Sequence, residues 1–293
     1  MVKKNSKIAW LLLLPGLVIM LALVFYPIAR TFEFSLYEYN LTKPDAIAFI
    51  GLDNYLEVFQ DTSFHIALKN TLIMSVFIII ISFLGSIFVA LILNQRTKLT
   101  PLLTAFAILP WTLPPLVNGI IWDFIFYSGY GLVNKLLIGA GIIETPILWA
   151  NQTWMVMLIV AIVVSWRVIP MCSIILLSHL QNIPHAYYEV SQVEGSSPLK
   201  TFFDITLPII KPSLVIVLMQ ITIAALNVFD EIISLVGFTL GDQTLLIYNY
   251  MNLFTYMDFG FGSAITYVIM LLSAVIGVFY IASMTKQEEV DYG

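Results

Sequence analysis

Six long segments of nearly uninterrupted apolar residues constrain this chain more than any other feature of its sequence. An α-helix needs about 20 residues to cross the ~30 Å hydrocarbon layer of a membrane, and each segment is at least that long. The sequence is 60% hydrophobic and 11% charged, whereas soluble domains carry about 25% charged residues. It therefore predicts an all-α polytopic membrane protein with six transmembrane helices, at residues 8–29, 70–93, 101–127, 152–180, 213–237 and 262–284.

The first apolar segment has an alternative interpretation as a secretory signal peptide, because three lysines precede it. Residues 8–29 are, however, 22 uncharged residues, which exceeds the ~7–15 residues of a signal-peptide core. They also lack a small-x-small cleavage site before Arg30. We therefore expect a retained first span.

The basic residues predict the orientation in the membrane. Eight of the thirteen Lys and Arg residues lie in segments on the side of the N-terminus, four lie on the other side, and Arg167 lies inside a span. Because basic residues concentrate in cytoplasmic segments, both termini are expected in the cytoplasm. The expected organisation is a cytoplasmic N-terminus at 1–7, a six-helix transmembrane domain at 8–284 and a cytoplasmic tail at 285–293. The domain includes an extracytoplasmic segment at 30–69 and a cytoplasmic loop at 181–212.

The loop at 181–212 is the longest polar interruption in the C-terminal half, and its sequence predicts two short helices with a bend. Pro184 suits the first position of a helix, where its missing N–H costs nothing. This helix is expected to run from His185 to Glu194 and to end at Gly195, which tolerates a left-handed backbone. Ser197 can then cap a second helix that starts at Pro198, and Pro208 is expected to close it.

The same loop carries a spaced motif: Glu189-Val190-Ser191, then Gly195, then Ile205-Thr206-Leu207-Pro208. It resembles the cytoplasmic signature of permease subunits of binding-protein-dependent ABC importers, which reads Glu-Ala-Ala, three residues, Gly, nine residues, Ile-x-Leu-Pro. Both spacings match, and Val190-Ser191 replaces two alanines. The resemblance implies a type I ABC importer permease fold and a coupling helix that inserts into a separate ATPase subunit. The implied coupling residues are Glu189, Val190, Ser191, Glu194, Gly195, Ile205, Leu207 and Pro208; the alternative is an ordinary amphipathic loop.

A second resemblance lies in the extracytoplasmic segments. The box Phe49-x-Gly51-Leu52-Asp53-x-Tyr55, followed by Asn70-Thr71 and later by Gly131-Leu-x-Asn134, is similar to the sugar branch of this family, in the first of its two paired permeases. Locally, the box also fits a plain turn that precedes a surface helix. The chain departs from the sugar branch at 237–243, where a Thr-x-Gly-Gly-Pro run is replaced by Gly-Phe-Thr-Leu-Gly-Asp-Gln.

What this resemblance implies is a bacterial or archaeal cytoplasmic-membrane importer for a sugar or oligosaccharide. The chain would form a heterodimer with a second, similar permease. Two ATPase subunits would dock on the cytoplasmic side and hold ATP and Mg²⁺, and an extracytoplasmic solute-binding protein would dock on the other side. The chain itself would contact membrane lipid and bind no cofactor.

The third span is interrupted by three prolines at positions 110, 114 and 115. The interruption lies about nine residues from one end of the span, or about 14 Å, close to the bilayer midplane. Broken helices at the midplane indicate a transport site, since backbone groups freed by proline need protein or water rather than lipid. A kink needed only for helix packing is the alternative.

Polar and aromatic groups inside the spans are candidates for the substrate path, because aromatic faces and carboxylate or amide groups suit neutral sugars. By residue counting, Asp123 and Asp230 lie near the outer surface and Arg167 lies in the inner third. For Arg167 we expect a side chain that reaches the inner face or pairs with a neighbouring subunit, or else a gating role. Alternatively, Asp230 and Glu231 only mark the water boundary, and Gln220 and Asn227 only bridge helices. The candidate path residues are Trp111, Asn118, Trp122, Asp123, Gln220, Asn227, Asp230 and Glu231.

Several other functions lack their sequence signatures. The sequence has no Gly-x-x-x-x-Gly-Lys-Ser/Thr, no His-Glu-x-x-His, no Gly-x-Ser-x-Gly and no basic run typical of nucleic-acid binding. We therefore expect no catalytic residues and no metal site. The rival hypotheses are an ion-coupled secondary transporter, a membrane scaffold or intramembrane enzyme, and an ABC permease for a glycerol phosphate ester, amino acid or polyamine.

Overall fold

The computed structural model describes residues 3–43, 47–95, 97–238 and 244–291, and these are almost entirely helical. Loop residues 239–243, part of the departure at 237–243, lie outside the described residues. The first half of the chain contains α1 Lys3–Met20, a π-helical turn Leu21–Phe25, α2 Tyr26–Ser35, β1 Tyr37–Glu38, β2 Ala48–Phe49, α3 Asp53–Gln60, α4 Thr62–Leu93, α5 Thr100–Ile108, a 3-10 turn Leu109–Thr112, α6 Pro115–Phe126 and α7 Leu132–Gly139. The second half contains a 3-10 turn Trp149–Asn151, α8 Thr153–Leu180, α9 His185–Val193, α10 Pro198–Thr201, a π-helical turn Phe202–Thr206, α11 Leu207–Leu226, α12 Asp230–Val236, α13 Leu245–Tyr250, a π-helical turn Met251–Thr255 and α14 Phe259–Asp291.

Six membrane spans agree with the sequence expectation, provided that one bent pair of helices counts as a single span. Five continuous spans are Trp10–Ser35, Thr62–Leu93, Thr153–Leu180, Pro198–Leu226 and Phe259–Ser283. The sixth consists of Thr100–Thr112 and Pro115–Phe126, which are bent by 99°.

The break in the third span is confirmed, and its cause is local. Pro114 excludes the preceding residue from the helical region, and Leu113 is accordingly extended, with φ −77° and ψ 134°. Pro115 then occupies the start of α6, where a missing N–H is tolerated.

The boundaries of the fifth span were predicted wrongly. Pro208 does not close a helix: the chain is helical from Pro198 to Leu226, and the following break at Asn227 separates α11 from α12. A π-helical turn precedes Pro208, and the N–H of Leu207 bonds to the carbonyl of Phe202. Pro27 in the first span likewise follows a π-helical turn, in which the N–H of Tyr26 bonds to Leu21. The wider turn lets the helix continue past a residue that cannot donate a hydrogen bond.

The first span also extends beyond its predicted end at residue 29. Arg30 and Glu33 lie one turn apart in α2 and form an ion pair of 2.5 Å. Because opposite charges three residues apart support each other on a helix, two charged residues continue the helix rather than end it.

The chain divides into two compact units, residues 1–65 with 247–272, and residues 66–246 with 273–293. In the first unit, the turn at Gly51 has φ +62° and leads into α3, as the local interpretation of the box predicted. The amide of Asn54 donates to the carbonyls of Ser35 and Tyr37 at 2.9 Å. Tyr248 donates to Asp61, and burial, followed by the bond to Asp61, raises the pKa of Tyr248 above its ordinary value.

In the second unit, α8 is the central helix. It packs against α6, α11 and α12, and α6 packs closely against α12. Polar side chains join the helices inside the bundle: Ser82 of α4 donates to Ser165 of α8 at 2.9 Å. Both hydroxyls are buried, so each satisfies the other away from water. All the candidate site residues belong to this unit.

Candidate functional site

The helix α9 ends as the sequence predicted. Gly195 has φ +75°, and two reciprocal backbone bonds close the helix: Ser196 N to Ser191 O at 3.0 Å and Gly195 N to Gln192 O at 3.0 Å. This bond pattern is a Schellman motif, in which a glycine takes the left-handed position. Space around Gly195 is open, since no atom lies within 4 Å of a Cβ built there.

The second predicted cap is also present. The hydroxyl of Ser197 accepts a hydrogen bond from the N–H of Lys200 at 3.3 Å, at the start of α10. Two side-chain bonds then join α9 to the helix that follows: Ser191 to Thr201 at 2.6 Å and Tyr188 to Thr206 at 3.2 Å. The bend between α9 and α10 is therefore fixed on both sides.

The two residues that differ from the family signature point in different directions. Ser191 is buried, with 4% exposure, and makes the bond to Thr201. Val190 is 57% exposed and Val193 is 89% exposed. Ser191 thus contributes to holding the helix, whereas Val190 belongs to a surface that the chain itself leaves uncovered.

The remaining candidate residues of the loop at 181–212 also divide into exposed and half-buried ones. Glu189 and Glu194 are exposed, and Ile205 and Leu207 are half-buried where the π-helical turn meets α11. Pro208 is exposed. The loop presents carboxylates and apolar side chains together on its surface.

The candidate path residues occupy different environments. Asn118 is fully buried on α6, and its amide donates to the carbonyl of Val163 at 3.0 Å. Trp111 lies exposed in the helix break, and Gln220 is exposed on α11. Asn227, at the end of α11, is exposed and donates to the carbonyl of Ile223 of its own helix at 2.8 Å, so within the described residues its amide does not join two helices.

Arg167 and Glu231 form an ion pair that the sequence did not predict. Nε and Nη2 of Arg167 donate to Oε1 of Glu231 at 3.1 and 2.9 Å, and the Glu231 side chain is only 3% exposed. The depths in the membrane that residue counting gave are therefore inconsistent, because they put Arg167 in the inner third and Asp230, the neighbour of Glu231, at the outer surface. Arg167 pairs with a residue of its own chain, and Glu231 is buried rather than at a water boundary.

The helices α6 and α12 approach closely beside this pair. A Cβ built on Gly119 would lie 3.1 Å from Cα of Glu231 and 2.9 Å from Cβ of Ser234. Glycine fits at position 119 because an added methyl group would overlap Oγ of Ser234 and lie close to the backbone of Glu231. This contact brings Asn118, Trp122 and Asp123 of α6 to the helix that carries Asp230 and Glu231.

An aromatic chain extends from α6 to α8, and most of it was missed in the sequence. Ring centroids are 5.4 Å apart for Trp149 and Phe126, 5.7 Å for Phe126 and Trp122, and 5.7 Å for Trp122 and Trp166. The contact of Phe126 with Trp122 could have been predicted from the sequence, because Phe126 lies four residues after Trp122 and therefore on the same face of α6. Trp149 and Trp166 come from other elements, and no local pattern points to them.

Asp123, the last member of the path set on α6, is half-buried. It lies beside a cavity of about 400 Å³ at the end of α6. No group of three or more His, Cys, Asp or Glu side chains is arranged for a metal ion within the described residues.

Comparisons with known proteins give the family of this chain. The profile of the family described as binding-protein-dependent transport system inner membrane component matches residues 82–287. The trehalose/maltose transport system permease protein of Thermococcus litoralis is 33% identical over 93% of this chain and 93% of its own length. The sulfoquinovosyl glycerol transport system permease protein of Agrobacterium fabrum is 31% identical over 94% of this chain and 89% of its own length.

Among solved structures, a bacterial ABC transporter involved in the import of the acidic polysaccharide alginate has a chain with a TM-score of 0.83 and 22% identity, over 97% of this chain and 96% of that one. The likeness confirms the expected type I ABC importer permease fold. This chain therefore belongs to the family of binding-protein-dependent transport system inner membrane components.

Proposed function

We propose that this chain is a membrane-spanning permease subunit of an ABC importer for a sugar or oligosaccharide. The observation that carries the proposal is the loop after α8, where a capped and anchored α9 exposes Glu189, Val190 and Val193. These residues form a small surface of charged and apolar groups that suits a docking contact.

The partners follow from the family. A second, similar permease would complete the path as a heterodimer, and a solute-binding protein would deliver the substrate. Two ATPase subunits would hold ATP and Mg²⁺, and this chain would be non-catalytic. Both termini and the loop with α9 would face the cytoplasm, where an ATPase can reach them, as the distribution of basic residues favours.

The packing supports a route by which the ATPase could act on the path. The bonds of Ser191 and Tyr188 tie α9 to the continuous helix Pro198–Leu226. That helix ends at Asn227 and is followed by α12, which carries the partner of Arg167. A displacement of α9 would therefore reach α12 through elements that are each held by hydrogen bonds.

Sugars are favoured as substrates because the names of several relatives describe sugar transport. The trehalose/maltose permease is one, and a lactose permease of Rhizobium radiobacter, 29% identical over 94% of this chain, is another. An sn-glycerol-3-phosphate permease of Yersinia pestis, 28% identical over 98% of this chain, favours a glycerol phosphate ester as the second candidate.

The test is to purify this chain gently with a tag from its native host, identify the proteins that accompany it, and reconstitute the assembly in liposomes. We expect a second permease and an ATPase among these proteins. We also expect uptake of trehalose or maltose that requires the binding protein on one side of the membrane and ATP on the side that carries the ATPase. Uptake driven by an ion gradient without ATP would overturn the proposal in favour of a secondary transporter.

A further inference from the structure

The cavity at the end of α6 is a candidate binding site that lies opposite the coupling loop. Its volume is about 400 Å³, and its lining includes Asp123, Phe126, Tyr127, Ser128, Trp149 and Val156. α8 begins beside it and is 28 residues long, so about 42 Å separates the two ends of that helix. Small-molecule sites commonly have ~300–1,000 Å³, with apolar and aromatic walls and few polar groups.

The loop that forms the rim of the cavity is held in place. Asn134, only 3% exposed, donates to the carbonyl of Ser128 at 3.2 Å and to that of Ile147 at 3.0 Å, and it accepts from the N–H of Ile147 at 3.2 Å. One buried amide thus fixes the segment that carries Ser128 and Trp149.

The chemistry of the walls suits a ring that bears hydroxyl groups. Phe126 and Trp149 meet edge to face, with an interplanar angle of 70°, and offer apolar surfaces. The carboxyl group of Asp123 has no hydrogen-bond or ion-pair partner among the described residues. A carboxylate accepts from hydroxyls, and the hydroxyls of Tyr127 and Ser128 can donate or accept.

The charges around the cavity disfavour an anionic ligand. The rim segment 127–152 carries one Lys and one Glu, Lys135 and Glu144, which are both exposed and do not line the cavity. The helices α6, α8 and α12 carry three carboxyl groups and one Arg or Lys side chain, which is Arg167. Two nitrogens of that guanidinium bond to Glu231, so its charge is already balanced. An anion in the cavity would have no counter-charge on these helices and would face Asp123, which is costly in a low-dielectric site.

We propose that this cavity is a subsite for one ring of an uncharged sugar, and that the chain serves a neutral oligosaccharide rather than an acidic sugar or a sugar phosphate. The inference rests on the proposed function. It distinguishes between the substrate classes of the relatives. Their names include neutral sugars and also the anionic substrates of the sulfoquinovosyl glycerol and sn-glycerol-3-phosphate permeases.

The test uses the full complex in lipid nanodiscs and cysteine protection. Cys172, which is buried, is replaced by alanine, and Ser128→Cys places a single thiol on the cavity wall. A membrane-impermeant methanethiosulfonate then labels this thiol with or without trehalose or maltose. Bound sugar should slow the labelling by a factor of one plus the ratio of sugar concentration to Kd, which is about elevenfold at ten times Kd. Glucuronate and sn-glycerol 3-phosphate should give no protection.

Two variants locate the effect. Ala140→Cys, on the exposed end of α7, is the control position and should label at the same rate with every probe. Asp123→Ala in the Ser128→Cys background should raise the Kd measured by protection about ten- to a hundredfold, the usual loss for one hydrogen bond to a charged group. Protection that Asp123→Ala leaves unchanged would overturn the site.

The outcomes separate the subsite from the function on which it rests. If the reconstituted complex transports trehalose or maltose but neither sugar protects Ser128→Cys, the subsite is wrong and the proposed function stands. Protection or transport by the anionic probes alone would overturn the charge argument. A complex that transports no sugar overturns both, and a thiol that stays unlabelled in every condition means that lipid fills the cavity.

Discussion

The loop that follows α8 and the interior of the bundle around α8 are built in different ways. After the C-terminal end of α8, the loop with α9 is shaped by residues close in sequence: the glycine at 195, the cap at Ser197 and the bond between Ser191 and Thr201, ten residues apart. Within α8, the candidate path region depends on residues far apart in sequence, such as Arg167 in the middle of the helix and Glu231, separated by 64 positions. The comparison teaches that contacts between residues close in sequence shape the loop with α9, whereas the candidate path residues come together only when the helix bundle is assembled.

The largest expected effect comes from breaking the ion pair on the path side. Arg167→Met should destabilise the chain by about 3–5 kcal/mol, because it leaves the carboxylate of Glu231 buried without a partner. Thermal unfolding of the purified complex in one detergent, followed by tryptophan fluorescence, measures the loss.

The matched control removes both charges. Arg167→Met with Glu231→Leu should recover most of the lost stability, since an apolar pair of similar volume replaces a buried ion pair at little cost. A double variant as unstable as Arg167→Met would show that the pair does not hold α8 to α12.

The next effect tests the contact between α6 and α12. Gly119→Ala should cost about 1–3 kcal/mol, because the new methyl group would overlap Oγ of Ser234 and lie 3.1 Å from Cα of Glu231, so that Ser234 and α12 must shift. The melting temperature and the uptake rate of the reconstituted complex report the change.

Gly139→Ala is the control for Gly119→Ala. Gly139 ends α7 with no atom within 4 Å of an added Cβ, and alanine there should be neutral or stabilising by up to about 1 kcal/mol. Equal losses from the two substitutions would contradict the close approach at Gly119.

A smaller effect is expected at Ser191, whose hydrogen bond to Thr201 joins α9 to α10. Ser191→Ala removes the bond to Thr201 and should cost about 0.5–1.5 kcal/mol, with a modest loss of ATP-driven uptake and normal assembly. Ser178→Ala, which removes only bonds within its own helix, to Ile175 and His179, is the control. A Ser191→Ala complex with unchanged coupling between ATP hydrolysis and uptake would show that this anchor is dispensable.

This contrast also explains which features the sequence could predict. The six spans, the proline break, the end of α9 at Gly195 and the cap at Ser197 follow from composition and local rules, and all are present. The end expected at Pro208 failed because a π-helical turn accommodates the proline. The pairing of Arg167 with Glu231 and the positions of Trp149 and Trp166 could not be predicted, since residue counting gives depth along a straight helix but not which helices meet.

The measurement that tests the central claim most directly compares two glycines with the same geometry. Gly195 and Gly141 have φ +75° and +70°, both are open to solvent, and Ile142 and Gly141 close α7 with the same pair of bonds as those after α9. Gly195→Asp and Gly141→Asp thus add equal strain, of order 1 kcal/mol, and an equal charge. We expect both to insert and assemble with the second permease, and only Gly195→Asp to abolish ATP-driven uptake. Normal uptake by Gly195→Asp, or an equal loss in both variants, would contradict the assignment of this loop as the docking site for the ATPase.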